Sequence, residues 1–315
     1  MKHKFFTLII LFTLLSSLTG CSGSSKDTVF NFDTVEIMLS TEQETTTTET
    51  TLSNPASTEI ITAETTQPFR FIDAWGEWHE TEILSSVKKH PYHWKYLTND
   101  ETGISYEGDD NFRIRHGIDV SKWQGSIDWE KVKHAGYDFV IIRMGYRGYG
   151  KSGELAIDEM FYRNIQGAQA AGMDVGVYFF SQAINETEAL EEAEFVLAAL
   201  EGYDLQLPIV YDPELIRDQP ARTNDVTGEQ FTKNTLVFCE AIEQAGYESM
   251  IYSNMVWEAF LFDMTQLQDY PFWYADYEAT PQTPYDFEIW QYSETGKVDG
   301  ISGNVDLNIM FESIE

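Results

Sequence analysis

Apolar positions change period along the chain, and the changes mark its elements. From His116 onward, short apolar runs alternate with stretches that repeat every three or four residues. The short runs predict strands at 116–121 (HGIDVS), 138–145 (DFVIIRMG), 173–181 (MDVGVYFFS), 208–214 (PIVYDPE), 248–253 (ESMIYS), 271–277 (PFWYADY), 287–292 (FEIWQY) and 305–310 (VDLNIM). Between the early strands the period lengthens to that of a helix. Residues 159–171 carry Phe161, Ile165 and Ala168 on one face, and 187–200 carry Leu190, Ala193, Leu197 and Leu200. A third helix, 227–245, opens on Thr227-Gly228-Glu229-Gln230, a capping box. Beyond 253 the helical stretches shrink, and loops join the last three strands. Eight strands, about five of them followed by helices, predict an α/β barrel with an irregular closing side.

Ahead of this series the pattern differs. Residues 68–115 have globular composition, with Phe69, Phe71, Trp75, Trp78, Trp94 and Tyr96 among Gly and Asp. The stretch TGISYEGDDNFRIRHG alternates like a hairpin turning at Gly108-Asp109-Asp110. Residues 68–115 are therefore expected to form a small β-rich extension packed on the barrel, 116–315, through its tryptophans. In 40–66, eleven of 27 residues are Thr interleaved with Glu, without period. Such a segment buries too little apolar surface to offset its ordering entropy, so 21–67 reads as an extended tether. Residues 1–20 join Lys2 and Lys4 to an apolar run from Phe5 to Leu18, the pattern of an export signal and too short for a membrane span. The run ends in Leu18-Thr19-Gly20-Cys21, which resembles a bacterial lipobox. Lipidation of Cys21 would then hold the chain at the extracytoplasmic face of the cell membrane, facing the wall.

Charge sharpens what the fold can serve. The 315 residues include 52 acids and 20 basic residues, a formal net charge of −32. That balance excludes a nucleic-acid binder and electrostatic docking on anionic lipid. Two cysteines exclude a disulfide framework or a cysteine-based zinc site. Cys239 falls beside the apolar stripe of the third helix and reads as a buried, inert thiol. The six histidines show no metal-ligand spacing, and neither a metal nor a cofactor is expected.

Reactive groups in such barrels sit at the C-terminal ends of strands. Asp119, Asp212, Glu214, Asp276 and Asp306 all fall in or at the ends of the predicted strands. The Asp212-Pro213-Glu214 pair is the most informative. Residues i and i+2 of a strand share a face, so both carboxylates enter one pocket, and their repulsion raises one pKa. A neutral acid beside an anion is what glycosidic bond cleavage requires. Aromatic residues accompany these ends. Tyr178, Tyr252, Trp273, Trp290 and Tyr292 are candidates for sugar binding, with Trp273 and Trp290 as stacking platforms. Arg143, inside the second strand, is a candidate to brace Asp119 or another acid and to face substrate.

The motifs GIDVSKWQGSIDW (117–129), FVIIRMGYRGYG (139–150), GVYFFS (176–181), IVYDPE (209–214), FWYADY (272–277), WQYS (290–293) and GNVDLN (303–308) together resemble glycoside hydrolase family 25, the Chalaropsis-type lysozymes. The resemblance runs from His116 to the C-terminus. It implies a flattened (β/α)5β3 barrel that cleaves the β-1,4 bond between N-acetylmuramic acid and N-acetylglucosamine in peptidoglycan glycan strands. By the same resemblance Glu214 matches the proton-donating acid, and Asp212 the second carboxylate. Asp119 and Asp306 match the remaining acids of the cleft. Pro213 departs from the apolar residue usual between the paired acids. Asp276 departs as an added charge expected to raise the pKa of Glu214. The chain is read as a monomeric, lipid-anchored muramidase. The other reading is a lipoprotein that binds peptidoglycan in the same cleft without turnover.

Overall fold

The computed structural model describes residues 65–100, 103–217 and 220–314. The expected signal and lipidated Cys21 lie outside the described residues, as does nearly all of the tether. The described chain opens with hairpin β1 (Thr66–Ile72) and β2 (Trp78–Leu84), then β3 (Leu97–Asp100) and β4 (Gly103–Tyr106). There follow β5 (Phe112–Val120), α1 (Trp129–His134), β6 (Phe139–Arg147), β7 (Leu155–Ile157), α2 (Phe161–Ala170) and β8 (Asp174–Ser181). Next come α3 (Glu186–Ala199), β9 (Ile209–Pro213), α4 (Gly228–Gln244) and β10 (Ser249–Ser253). The chain ends with α5 (Met255–Phe260), α6 (Met264–Leu267), β11 (Phe272–Ala275), β12 (Ile289–Gly296) and β13 (Val305–Ser313).

Strands β5, β6, β8, β9, β10, β11 and β12 are parallel to one another, and β13 closes the ring antiparallel to both β12 and β5. Helices follow the first five barrel strands and none follows the last three, so the barrel with an irregular closing side expected from the chain's periodicity, and the (β/α)5β3 order that the resemblance implies, are present. All eight predicted strands fall in it. Parity divides its core in two. Phe139, Ile141, Val210, Met250, Trp273, Ile289 and Met310 fill the inside. The alternate residues, such as Val140, Ile142, Tyr211, Ile251, Tyr274 and Trp290, face outward into a larger cluster with the helices and extension.

Helix starts agree with their caps. Asn185 accepts from the Glu188 amide at the start of α3, and Thr227 from the Gln230 amide at the start of α4. The second half of the expected capping box is not made: the Gln230 amide group donates to Glu186 and Asn234 instead. Along α3 and its C-cap, Ala193 and Leu200 are buried as predicted, while Ala189 and Val196 take the places expected for Leu190, which is exposed, and Leu197. Cys239 is buried in α4, and burial pushes its thiol up, as expected for an inert side chain.

The bottom of the barrel is tight. A Cβ on Gly117 would lie 2.2 Å from the ring of Phe139, a buried member of the inner layer. Gly117→Ala is expected to destabilise the fold by about 3 kcal/mol, the upper range for overpacking, read as a lower denaturation midpoint.

Residues 68–115 depart from expectation in pairing and in packing. The Gly108 turn does not make a hairpin. β4 pairs back on β3, while β5 leaves for the barrel to pair with β13 and β6. The longer ladders win because β13 and β6 pair β5 on both of its edges, and residues 117–120 are buried there. Nor do the tryptophans as a group anchor the extension: Trp75 and Trp78 are 58% and 63% exposed, and of the three only Trp94 joins the core. Instead Tyr92 stacks on Phe311 at 3.9 Å and gives its hydroxyl to the Phe287 carbonyl at 2.6 Å. Phe71, Val87, Ile104 and Tyr106 are buried in the same cluster, each worth ~1.5–3 kcal/mol of burial. This cluster covers the β11–β13 side of the barrel, where helices are lacking. β1 begins at Thr66, inside the stretch assigned to the tether.

Candidate active site

The parallel strands deliver their C-terminal ends to one mouth, and β13, running the other way, brings its N-terminal end there. Asp119 near the end of β5 is therefore paired directly with Asp306 at the start of β13. Asp212 lies in β9, and Glu214 follows one residue past the strand. All four acids line a cavity of about 720 Å³ together with Tyr178, Tyr252, Trp273, Tyr277 and Gln291.

Like charges face each other across the Asp119–Asp306 register, so the pair is stable only if it shares a proton. The hydrogen bonds show where that proton sits. Asp119 Oδ2 accepts from Gln291 Nε2 at 2.8 Å and from Asn308 Nδ2 at 2.9 Å. Behind these donors, Tyr277 and Tyr252 give their hydroxyls to Gln291 Oε1, and Trp273 Nε1 donates to Asn308 Oδ1 at 2.8 Å. Every donor in the chain points toward Asp119, which suits the anion. Burial raises the Asp119 carboxyl, while Asn308, Gln291 and Asp306 pull it back. Asp306 is pushed up to about 9 by burial and by the Asp119 charge, and so carries the proton.

The second pair is less satisfied. Asp212 is 3% exposed, and its Oδ1 makes no hydrogen bond among the described residues. Burial, then Glu214 and Asp119, raise its carboxyl well above the usual range, against the pull of Arg143. Glu214 is pushed up to about 7, by burial first and then by Asp119, again opposed by Arg143. Two buried carboxyls raised in this way, Asp212 by Glu214 and both by Asp119, hold protons as one coupled site near neutrality. The site thus offers a proton donor beside an anion that is poorly stabilised by its own surroundings.

The structure sorts the candidate binding residues by parity. Tyr178 and Tyr252 point inward, edge-on to Trp273 at 5.8 and 4.9 Å. Trp273 lines the cavity but is only 2% exposed, so it is the floor that holds the two tyrosines and not an open platform. Trp290 and Tyr292 are corrections. Their neighbour Gln291 takes the inward position, opposite Ala275, and Trp290 is fully buried on the outer face with its indole N–H on the Asp276 carbonyl at 2.7 Å. Tyr292 packs beside it on that outer face. Arg143 braces Asp158, through Nε at 2.8 Å and Nη2 at 2.6 Å, rather than Asp119. Its charge still acts on Asp212 and Glu214 from there. Asp276 lines the cavity but is engaged by the Tyr274 hydroxyl and the Gln282 amides, and burial with Asp119 is what raises Glu214. Gln291 and Asn308 were overlooked. Both lie inside the quoted motifs at inward parity, as polar residues in otherwise apolar strands, so the signal was there.

A buried carboxyl pair with an exchangeable proton at the mouth of a barrel has the chemistry of a glycoside hydrolase. Comparison with known proteins makes this specific. Residues 118–301, more than half of the chain, match the sequence model of the glycosyl hydrolases family 25, and the chain belongs to that family. It is a glycoside hydrolase of the lysozyme type. It is 30% identical to Lysozyme M1 of Streptomyces globisporus over 61% of this chain and 66% of that protein. It is 29% identical to the uncharacterized protein YegX of Escherichia coli K12, over 64% of this chain and 71% of the relative. Among solved structures, the bacterial lysozyme of Streptomyces coelicolor superposes with a TM-score of 0.51 at 28% identity, covering 62% of this chain and 90% of that one.

Proposed function

We propose that this chain is a muramidase that hydrolyses the β-1,4 bond between N-acetylmuramic acid and N-acetylglucosamine in peptidoglycan, held at the outer face of the cell membrane by lipid on Cys21. The observation that carries the catalytic part is the placing of Asp212 and Glu214 together at the end of β9 in one acid-lined cleft, with Asp212 buried and its Oδ1 unpartnered among the described residues. Glu214, nearer the mouth, donates its proton to the glycosidic oxygen as the bond breaks. Positive charge grows on the sugar ring, and the Asp212 carboxylate stabilises it directly or through the substrate's acetamido oxygen. Glu214, now an anion, takes a proton from the incoming water. Asp119, fixed by Gln291 and Asn308, supports the acid form of Glu214 through its charge.

Mass analysis of fragments released from purified cell walls tests this reading. New reducing ends on muramic acid support it. Reducing ends on glucosamine, or retention of walls without any fragments, overturn it, and the latter is the behaviour of a non-catalytic binder. Partition of the full chain into a detergent phase tests the anchor.

The proton state sets the pH profile. The acid must be protonated, and Glu214 loses its proton near pH 7. Initial rates at low substrate are therefore expected to fall about tenfold per pH unit above about 7. A basic limb that begins below pH 5 would show Glu214 to be an ordinary carboxylate.

A further inference from the structure

The β1–β2 hairpin lies ahead of the residues that match the family, yet it builds one wall of the cleft. Ile72, Asp73, Ala74, Trp75 and Gly76 all line the cavity. The hairpin is seated there by Gln282. Its side-chain carbonyl accepts from the Ile72 amide at 2.9 Å, and its NH2 donates to the Ile72 carbonyl at 2.9 Å and to Asp276 at 3.1 Å. Beneath the turn, Phe71 is fully buried against His79 and Phe260.

The turn itself is built around Asp73. Its Oδ1 accepts from the amides of Trp75 and Glu77, both at 2.9 Å, and its Oδ2 meets His79 Nε2 at 3.0 Å. This fixes Trp75, whose ring stands exposed at the rim. Arg217, three residues past Glu214, lies over that ring with its guanidinium carbon 3.2 Å from the ring centroid, and one of its nitrogens is 3.7 Å from Asp73. A guanidinium over an indole face is held there by cation–π attraction, which fixes its place at the rim.

Charge gives this stack its meaning. Among the described residues lining the cavity there are eight acids (Asp73, Asp119, Asp212, Glu214, Asp276, Glu278, Glu294 and Asp306) and one cation, Arg217. Elsewhere among the described lining residues an anionic substituent meets carboxyl groups and no cation. Three residues span at most about 11 Å, so Arg217 stands within reach of a side branch on a sugar held at Glu214.

We propose that Arg217, held on Trp75 by the β1–β2 hairpin, is a subsite for a carboxylate on the peptide branch of the glycan, and that the enzyme prefers strands whose branches carry free carboxylates. This rests on the muramidase reading and adds a substrate preference to it. Asp73 and Trp75 are positioning residues for its guanidinium.

The test uses the full chain and a disaccharide-peptide fragment of peptidoglycan, with its branch carboxylates either free or converted to amides. Calorimetric binding is expected to favour the free acid by about tenfold. Arg217→Ala should abolish the preference by weakening free-acid binding about tenfold, with the amide form bound as in the wild type. Trp75→Ala should act in the same direction, and Arg217→Lys should restore part of the preference, because an ammonium keeps the charge without the planar group. Equal binding of the two ligands by the wild type, or equal losses on both ligands in Arg217→Ala, would overturn the proposal. Fragment release from walls is scored separately. Absence of reducing-end muramic acid overturns the muramidase reading and leaves the binding result to decide the subsite.

Discussion

Glu214→Gln is expected to lower kcat on purified peptidoglycan by about a thousandfold while the protein stays folded and still binds walls. The magnitude follows from the loss of general acid catalysis, which contributes 10²–10⁴-fold. The amide has nearly the same shape but no proton to give at the pH where Glu214 works. The substitution also relieves its neighbour: Glu214 is among the causes that raise the Asp212 carboxyl, so Asp212 should ionise more easily in the variant. Zymography gives a first readout, a clear band for the wild type and none for the variant at equal loading. A substrate with a very good leaving group sharpens it, because such a bond needs less help from an acid, so most of the loss should disappear. Near-normal activity on walls would remove Glu214 from the mechanism.

Asp212→Asn is expected to separate activity from stability. Its kcat should fall about 10²–10³-fold, because an amide cannot offset the positive charge that grows on the ring. The fold, in contrast, should gain about 1 kcal/mol. Asp212 is buried beside Glu214 and Asp119, and one of its oxygens makes no hydrogen bond among the described residues, so the native protein carries the cost of burying its charge or of holding its proton. A midpoint a few degrees higher, alongside a dead enzyme, would mark Asp212 as a group retained for reaction at the expense of the fold. A large loss of stability would instead make it a partner of Arg143 in a structural ion pair.

The barrel was legible because its strands are buried on both faces. Runs such as FVII and PIVY have no other stable setting, and the helices between them carry a clear period. The acids were legible for a related reason: a carboxylate ending an apolar run must emerge at the mouth. What failed was parity. In WQYS the tryptophan drew attention, but Ile289 and Gln291 share the inward face, and Trp290 was bound to point out. The extension failed differently. The polar stretch Thr98-Asn99-Asp100 gives little sign of a strand, so β3 was invisible and its partner β4 was given to β5. Helices α1, α5 and α6 are four to six residues long, too short for a period to show. The stack of Arg217 on Trp75 joins residues 142 positions apart and leaves no local trace.

The way the barrel closes sets a timetable for its folding. β13 is the last of the barrel strands in chain order, and it joins β12 to β5, with Ser313 opposite Phe112. Tyr92 likewise waits for Phe287, 195 positions later. Until β13 is in place, β5 and β12 each present an open hydrogen-bonding edge, and the aromatic cluster of the extension lacks Phe311. Contacts this distant are formed late, because the loop must close before any of them is gained. A chain that lacks residues 305–313 is therefore left with two exposed strand edges prone to pair with other chains, and β13 covers both.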